Sequence, residues 1–162
     1  ADLHRMVAIG KHVLAHPVDL LPGIREAVER VAEKRRIVLI TKGDLIHQQG
    51  KVSRSGLGDL FHRIEIVSEK NPQTYANVLA ECGVAASAFA MVGNSLKSDI
   101  APVVALGGCA VYMPYHSTWS MELEPDFHQD ASCVVEVAHA GAIADAIEIL
   151  ERACATRAGA HA

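Results

Sequence analysis

The sequence predicts an α/β fold, a Rossmann-like doubly wound parallel sheet with helices on both faces. Short apolar runs rich in β-branched residues, such as IVLI at residues 37–40, are typical of strands covered on both faces. These runs alternate at least four times with segments in which apolar residues recur at helical spacing. Because connections between parallel strands are almost always right-handed, this alternation predicts one parallel sheet between two layers of helices.

The elements follow in order along the chain. Leu3, Met6 and Val7 fall near helical spacing and predict a first helix whose apolar stripe needs a partner. A second helix starts near Pro22, since proline suits a first helical position. The predicted helices are residues 1–16, from 22 to about 32, 44–55, 72–82, 98–106 and 140–154. The predicted strands are residues 37–40, 63–68, 88–92, 109–113 and a short one at 133–135.

Composition excludes several classes of protein. A chain of 162 residues is about one domain, and its formal net charge of -4 argues against a nucleic-acid binder. No apolar run approaches the roughly 20 residues that span a bilayer, so no membrane partner is expected. The four cysteines are scattered without a CxxC pair, which indicates reduced thiols in a cytoplasmic protein rather than a disulfide framework or a zinc site.

Polar residues that suit phosphate follow the first two predicted strands. Thr41, Lys42 and Gly43 follow the strand at 37–40, and Lys70 follows the next. Ligands of open parallel sheets bind beyond the carboxyl ends of the strands. A threonine hydroxyl and the N–H groups before a helix bind anionic oxygens, and a lysine neutralises phosphoryl charge. The alternatives are a turn or capping role for Thr41 and a solvated surface position for Lys70.

The third strand is followed by residues that suit a metal. The stretch MVGNSLKSDI turns from an apolar strand into Gly93, which we interpret as the site of a tight turn, and then into Asn94 and Asp99. An amide and a carboxylate are hard oxygen ligands of the kind that magnesium takes. The alternatives are turn chemistry for Asn94 and, for Asp99, an acidic residue favoured by the helix dipole.

Taken in order, LITKG, SEK and MVGNSLKSD resemble the second, third and fourth motifs of the haloacid dehalogenase-like (HAD) hydrolase superfamily, in its phosphatase-like branch. The resemblance covers about residues 20–120. It implies that Thr41 holds the transferring phosphoryl oxygen and that Lys70 stabilises the nucleophile and the phosphate charge. It also implies that Asp99, with Asn94, belongs to a magnesium site.

Two departures from the family pattern matter. Asn94 stands where such a phosphatase has aspartate, which removes one negative charge from the metal site. The family's nucleophile lies in a DxD sequence at the end of a central first strand, and this chain contains no DxD. We therefore expect a vacant place between the strands that end at Ile40 and Val92, and an upstream segment that supplies the nucleophile. Residues 1–18 are then the end of a helical cap, and residues 19–162 the core.

The implied function is a magnesium-dependent phosphatase that acts on a small phosphorylated metabolite through an aspartyl-phosphate. One alternative is a 2-haloacid dehalogenase, which needs no metal and is easier to reconcile with Asn94. Another is a non-catalytic module that keeps the fold and binds a ligand. Without the nucleophile, this chain alone is expected to be inactive. Trp119 lies in a polar loop, where it packs against the cap or contacts substrate.

Overall fold

The computed structural model describes residues 2–14, 17–115 and 132–159, so the loop that carries Trp119 lies outside the described residues. The helices are α1 (Asp2–Leu14), α2 (Ile24–Ala32), α3 (Leu45–Ser55), α4 (Pro72–Cys82), α5 (Ala101–Ala105) and α6 (Ile143–Gly159). The strands are β1 (Val38–Lys42), β2 (Arg63–Val67), β3 (Ala90–Gly93), β4 (Cys109–Tyr112) and β5 (Val134–Glu136). The alternation of strands and helices is as predicted.

All strand pairs are parallel, but they form two sheets instead of one. Strand β1 pairs with β2, while β3, β4 and β5 form a second sheet in that order. Among the described residues, β1 and β3 are each paired on one side only. An apolar cavity of about 1050 Å³, here called the inter-sheet cavity, is lined by β1 and β3 and by residues of the flanking helices. Among the described residues no strand lies between β1 and β3, and the absence of a first, central strand from the core stays a prediction.

Helices cover both faces of the sheets, as expected for a Rossmann-like fold. On one face, α6 packs against β4, whose four residues are all buried, and α2 packs against α6 in the same core cluster. On the other face, Tyr75 and Val78 of α4 pack with Val103 of α5 against the inner strands. The carboxyl ends of the strands thus emerge between two packed layers, where the predicted site residues lie.

Two of the element boundaries that differ from the predictions bear on the site. Strand β1 continues through Lys42, so Thr41 and Lys42 belong to the strand instead of following it. The helix predicted at 98–106 begins earlier, as a π-helical turn at Leu96–Ile100, and then continues as α5. The Ser95 side chain starts this turn by accepting a hydrogen bond from the N–H of Ser98.

Helix α1 presents apolar side chains to solvent. Leu3, Met6 and Ile9 are each more than half exposed. The division of the chain near residue 18 into a cap helix and a core remains a prediction. Within the described ranges, no helix has both the length and the apolar character needed to cross a membrane.

Candidate functional site

An ion pair between Lys70 and Asp99 forms the centre of the candidate site. The Lys70 ammonium lies 2.7 Å from Oδ1 of Asp99, and the two side chains are only 15% and 5% exposed. Lys70 follows β2, directly before Asn71, whose side chain caps α4 by accepting from the N–H of Thr74. Asp99 lies in the π-helical turn after β3. The ends of β2 and β3, which belong to different sheets, thus bring opposite charges together.

The second oxygen of Asp99 is also bound. Its Oδ2 accepts a hydrogen bond of 3.1 Å from the N–H of Ser95, and both residues are buried. A backbone N–H at the start of a helical segment favours negative charge, and a hydrogen bond to a carboxylate is stronger than one between neutral groups. The carboxylate is thus held between a cation and a backbone donor.

Tyr75 contacts the π-helical turn that carries Asp99. Its side chain is fully buried, and its hydroxyl donates a 2.9 Å hydrogen bond to the carbonyl of Ser98. Pro102 lies four residues after Ser98 and has no N–H for the usual helical hydrogen bond to that carbonyl. Burial raises the pKa of the Tyr75 phenol, and the nearby charge of Asp99 raises it further. The helical stripe in the sequence indicates that Tyr75 is buried, but it carries no information about the partner of the hydroxyl.

Thr41 and Gly43 lie at the end of β1, but their hydrogen bonds are made elsewhere. The Thr41 hydroxyl donates to Oε1 of Gln48 at 3.2 Å, and the Gly43 N–H donates to the carbonyl of Val67 at 3.1 Å. Gly43 has a φ of +143°, and a β-carbon there would lie 2.8 Å from Nε2 of Gln48. Gln48 therefore lies over this end of β1. The sequence pattern did not point to Gln48, although this residue is one helical turn beyond Asp44, the N-cap of α3.

Lys42 forms a more exposed pair on the same edge. Its ammonium lies 3.5 Å from Oε2 of Glu69, the residue before Lys70, and the two side chains are 40% and 68% exposed. Lys42 is therefore beside the loop that carries Lys70, but it does not contact the buried pair. An exposed pair of this kind contributes little to stability and leaves the lysine available to an anion.

Asn94 completes the group of predicted residues. It is exposed, and together with Lys70 and Asp99 it lines the inter-sheet cavity. Within the described residues, no three His, Cys, Asp or Glu side chains are grouped as metal ligands. Magnesium is commonly bound by one or two carboxylates together with waters and phosphate oxygens. Asp99 and Asn94 offer oxygens of the type that magnesium takes, with a single formal negative charge, and both oxygens of the Asp99 carboxylate already accept hydrogen bonds, from Lys70 and from Ser95.

A sequence model of the haloacid dehalogenase-like hydrolase family matches residues 5–107. The chain belongs to this family. A crystal structure of a haloacid dehalogenase-like family hydrolase from Xanthomonas campestris is 44% identical, with a TM-score of 0.86, over 96% of this chain. The match covers 65% of that protein, so the present chain spans less than two thirds of its length. Among curated proteins, none matches the chain.

More distant structures share the fold of this HAD chain. A 2-haloacid dehalogenase from Pseudomonas syringae is 24% identical, with a TM-score of 0.60, over 85% of this chain and 55% of its own. A HAD phosphatase from Thermococcus onnurineus is 17% identical, with a TM-score of 0.64, over 80% of this chain and 58% of its own. The fold alone therefore does not choose between the two chemistries.

The structure brings three of the predicted residues of this HAD chain, Lys70, Asn94 and Asp99, to the wall of one cavity. It places Thr41, Lys42 and Gly43 at the same sheet edge, bonded to neighbours outside this group. The catalytic, phosphate-binding and metal-binding roles of all six residues remain predictions.

Proposed function

We propose that this HAD hydrolase is a magnesium-dependent phosphatase of a small phosphorylated metabolite. The observation that carries the proposal is the buried Lys70–Asp99 pair at the wall of the inter-sheet cavity, which also lies beside the edges of β1 and β3 that are unpaired among the described residues. Lysine is the group expected to stabilise a carboxylate nucleophile and the phosphoryl charge. The nucleophile itself is proposed to be an aspartate at the end of a strand seated between β1 and β3.

A strand suits the inter-sheet cavity for two reasons. Unpaired backbone groups buried at a strand edge cost free energy, and a strand between β1 and β3 supplies partners to both edges. The facing residues are apolar, among them Ile40 and Met91, as a strand covered on both faces requires. If this strand is parallel to its neighbours, its last residue lies at the carboxyl edge, beside Lys70.

The proposed reaction uses the residues of the chain in distinct roles. The aspartate attacks phosphorus, the alcohol of the substrate leaves, and water then hydrolyses the aspartyl-phosphate. Lys70 offsets negative charge on the nucleophile and on the phosphoryl oxygens. Thr41 exchanges its hydrogen bond to Gln48 for one to a phosphoryl oxygen. Asn94 and Asp99 would hold magnesium, which screens the charge of the phosphate when it is bound.

A 2-haloacid dehalogenase is the second candidate. It is favoured by one observation, the neutral and exposed amide of Asn94 at the position where a second metal-binding carboxylate is expected. In that reaction the same aspartate attacks carbon, and a halide leaves. The charge of Lys70 would serve the nucleophile equally well, and no metal would be needed.

One experiment separates the two candidates. The chain would be joined to the parts of the Xanthomonas protein that it does not match, and this chimera would be assayed with p-nitrophenyl phosphate and with 2-chloropropionate. Hydrolysis of the phosphate ester that requires magnesium and is lost in Lys70→Met supports the phosphatase. Chloride release without metal supports the dehalogenase. A folded chimera that catalyses neither reaction contradicts both candidates.

The net negative charge and the reduced thiols support a cytoplasmic enzyme without a nucleic-acid partner.

A further inference from the structure

Two cysteines from distant parts of the chain meet beside the inter-sheet cavity. The sulfurs of Cys109 and Cys154 are 2.8 Å apart, although the residues are separated by 45 positions. Cys109 lies in β4 and is 2% exposed, while Cys154 lies in α6 and is partly exposed. Their contact follows from the packing of α6 on β4, because Cys154 continues the buried face of Ile147 and Leu150.

We propose that Cys109 and Cys154 form a reversible cross-link when the protein meets an oxidising small-molecule disulfide. Two thiols packed against each other can join without a large movement of the backbone, whereas distant thiols cannot. The link would tie the C-terminal helix to the central strand of the second sheet. This proposal does not depend on the proposed phosphatase reaction.

The chemistry is ordinary thiol–disulfide exchange. The thiolate of Cys154 attacks one sulfur of glutathione disulfide and releases one glutathione thiolate, which leaves a mixed disulfide on Cys154. The thiolate of Cys109 then attacks the Cys154 sulfur and releases the second glutathione thiolate. The two protein thiols lose two protons and two electrons, and the electrons reduce the glutathione disulfide to two thiols.

The two thiols differ in their exposure to an oxidant. Cys154 is partly exposed, whereas Cys109 is buried, so a small disulfide in solution can reach Cys154. The more exposed thiol is therefore the first to react. Cys109 is shielded from solvent and resolves the mixed disulfide from within.

The other two cysteines make the proposal specific. Cys133 directly precedes β5, and its carbonyl accepts a hydrogen bond from the N–H of Ala110 in β4. Cys133 therefore lies beside Cys109, at the start of the neighbouring strand. Cys82 lies at the end of α4, against the other core cluster. A link between Cys109 and Cys133 is therefore the main competing product, and Cys82 is the matched control.

The test is oxidation of the purified protein by glutathione disulfide, followed by alkylation of the remaining thiols and peptide mapping. We expect two of the four thiols to disappear, with a mass loss of about 2 Da, a peptide joined through Cys109 and Cys154, and a higher melting temperature. Dithiothreitol should reverse all four changes. Cys82→Ser should behave like the wild type, and Cys154→Ser should not cross-link.

Three results would overturn the proposal: four thiols that remain reduced, glutathione that stays attached to Cys154, or a link to Cys133. If Cys154→Ser does not fold, the peptide map of the wild type still decides, because it identifies the joined residues directly.

Discussion

The carboxylate of Asp99 lies directly against the backbone of Gly93. A β-carbon at residue 93 would be 2.3 Å from Oδ2 of Asp99 and 2.5 Å from its Cβ, distances at which atoms collide. The interpretation of Gly93 as the site of a tight turn stays a prediction, but Gly93 is not among the described glycines with positive φ, so a left-handed backbone is not the reason for glycine here. Glycine is needed here because it leaves room for the acid that pairs with Lys70.

The first prediction concerns Gly93→Ala. The added methyl group displaces Asp99, so we expect a loss of about 1–3 kcal/mol in the free energy of unfolding, as for other overpacked sites. Urea denaturation measures this loss. Gly58→Ala is the matched control, because its β-carbon would meet only Cγ1 of Val52 at an ordinary 3.9 Å. Equal stabilities of the two variants would show that Asp99 moves aside freely.

The second prediction compares two lysines on the same sheet edge. Lys70→Met leaves the carboxylate of Asp99 buried without its cation, and we expect destabilisation by about 3 kcal/mol. Lys42→Met removes the same charge from an exposed pair with Glu69 and should cost at most about 1 kcal/mol. Denaturant unfolding of both variants checks the difference. Similar small losses would mean that the N–H of Ser95 and water suffice for Asp99.

The alternation of strands and helices could be predicted because the spacing of apolar residues within a segment differs between a strand and a helix. The absence of a central strand between β1 and β3 is inferred from the order of the motifs and the absence of DxD, and it stays a prediction. The contact of Asp99 with Gly93 and the hydrogen bond from Tyr75 to Ser98 could not. They depend on distances between side chains and backbone that become fixed only when the layers pack.

The same limit applies to Thr41. Its place at the carboxyl edge follows from the strand pattern, but its hydrogen bond to Gln48 depends on the side-chain conformation in α3. Lys70 and Asp99 were predicted to share an edge, and they do so. Whether they form a buried ion pair depends on the burial and the rotamers of the two side chains. The spacing of 29 residues along the chain carries no information about either.

The third prediction is a pH dependence that arises from Tyr75. Folding raises the pKa of this phenol above its ordinary value of 10.0, through burial and the charge of Asp99. Above pH 10 the unfolded chain loses the proton while the folded chain keeps it, so the stability present at lower pH declines as pH rises. The decline should be steeper than in Tyr75→Phe by up to about 1.4 kcal/mol per pH unit.

Urea unfolding of the wild type and of Tyr75→Phe between pH 8 and pH 11 (roughly one unit beyond the ordinary value) checks this slope. The raised pKa of Tyr112, which arises from burial and from Glu136, is common to both proteins and cancels in the comparison. Parallel declines would show that Tyr75 ionises in the folded protein as readily as in the unfolded chain.

The fourth prediction concerns Asn94 and the metal. Asn94→Asp places a second carboxylate beside Asp99, so it should tighten magnesium binding, on the order of tenfold, since affinity follows the charge of the ligands. Calorimetry of magnesium binding to the chimera would measure the change. Asn77→Asp adds the same charge at an exposed position on α4 and is the control. An effect no larger than that of the control would assign Asn94 a turn role.

The last prediction follows from the vacancy in the sheet. The 162-residue chain alone should not hydrolyse p-nitrophenyl phosphate, even with magnesium, because the roles proposed for Thr41, Lys70 and Asp99 are to position and neutralise a phosphoryl group, and none of them is the proposed nucleophile. A strand that ends in DxD and fills the inter-sheet cavity should restore turnover. It should also raise the free energy of unfolding, because it pairs the open edges of β1 and β3 and buries their apolar side chains.

The two effects can be separated by the choice of strand. A chimera in which the first aspartate of DxD is replaced by asparagine should gain the stability but not the turnover, since it fills the cavity without a nucleophile. The unchanged chimera should gain both. Turnover by the short chain that is lost in Asp99→Asn would contradict this account, because it would make Asp99 itself the nucleophile. A strand that restores activity without added stability would contradict its placement between β1 and β3.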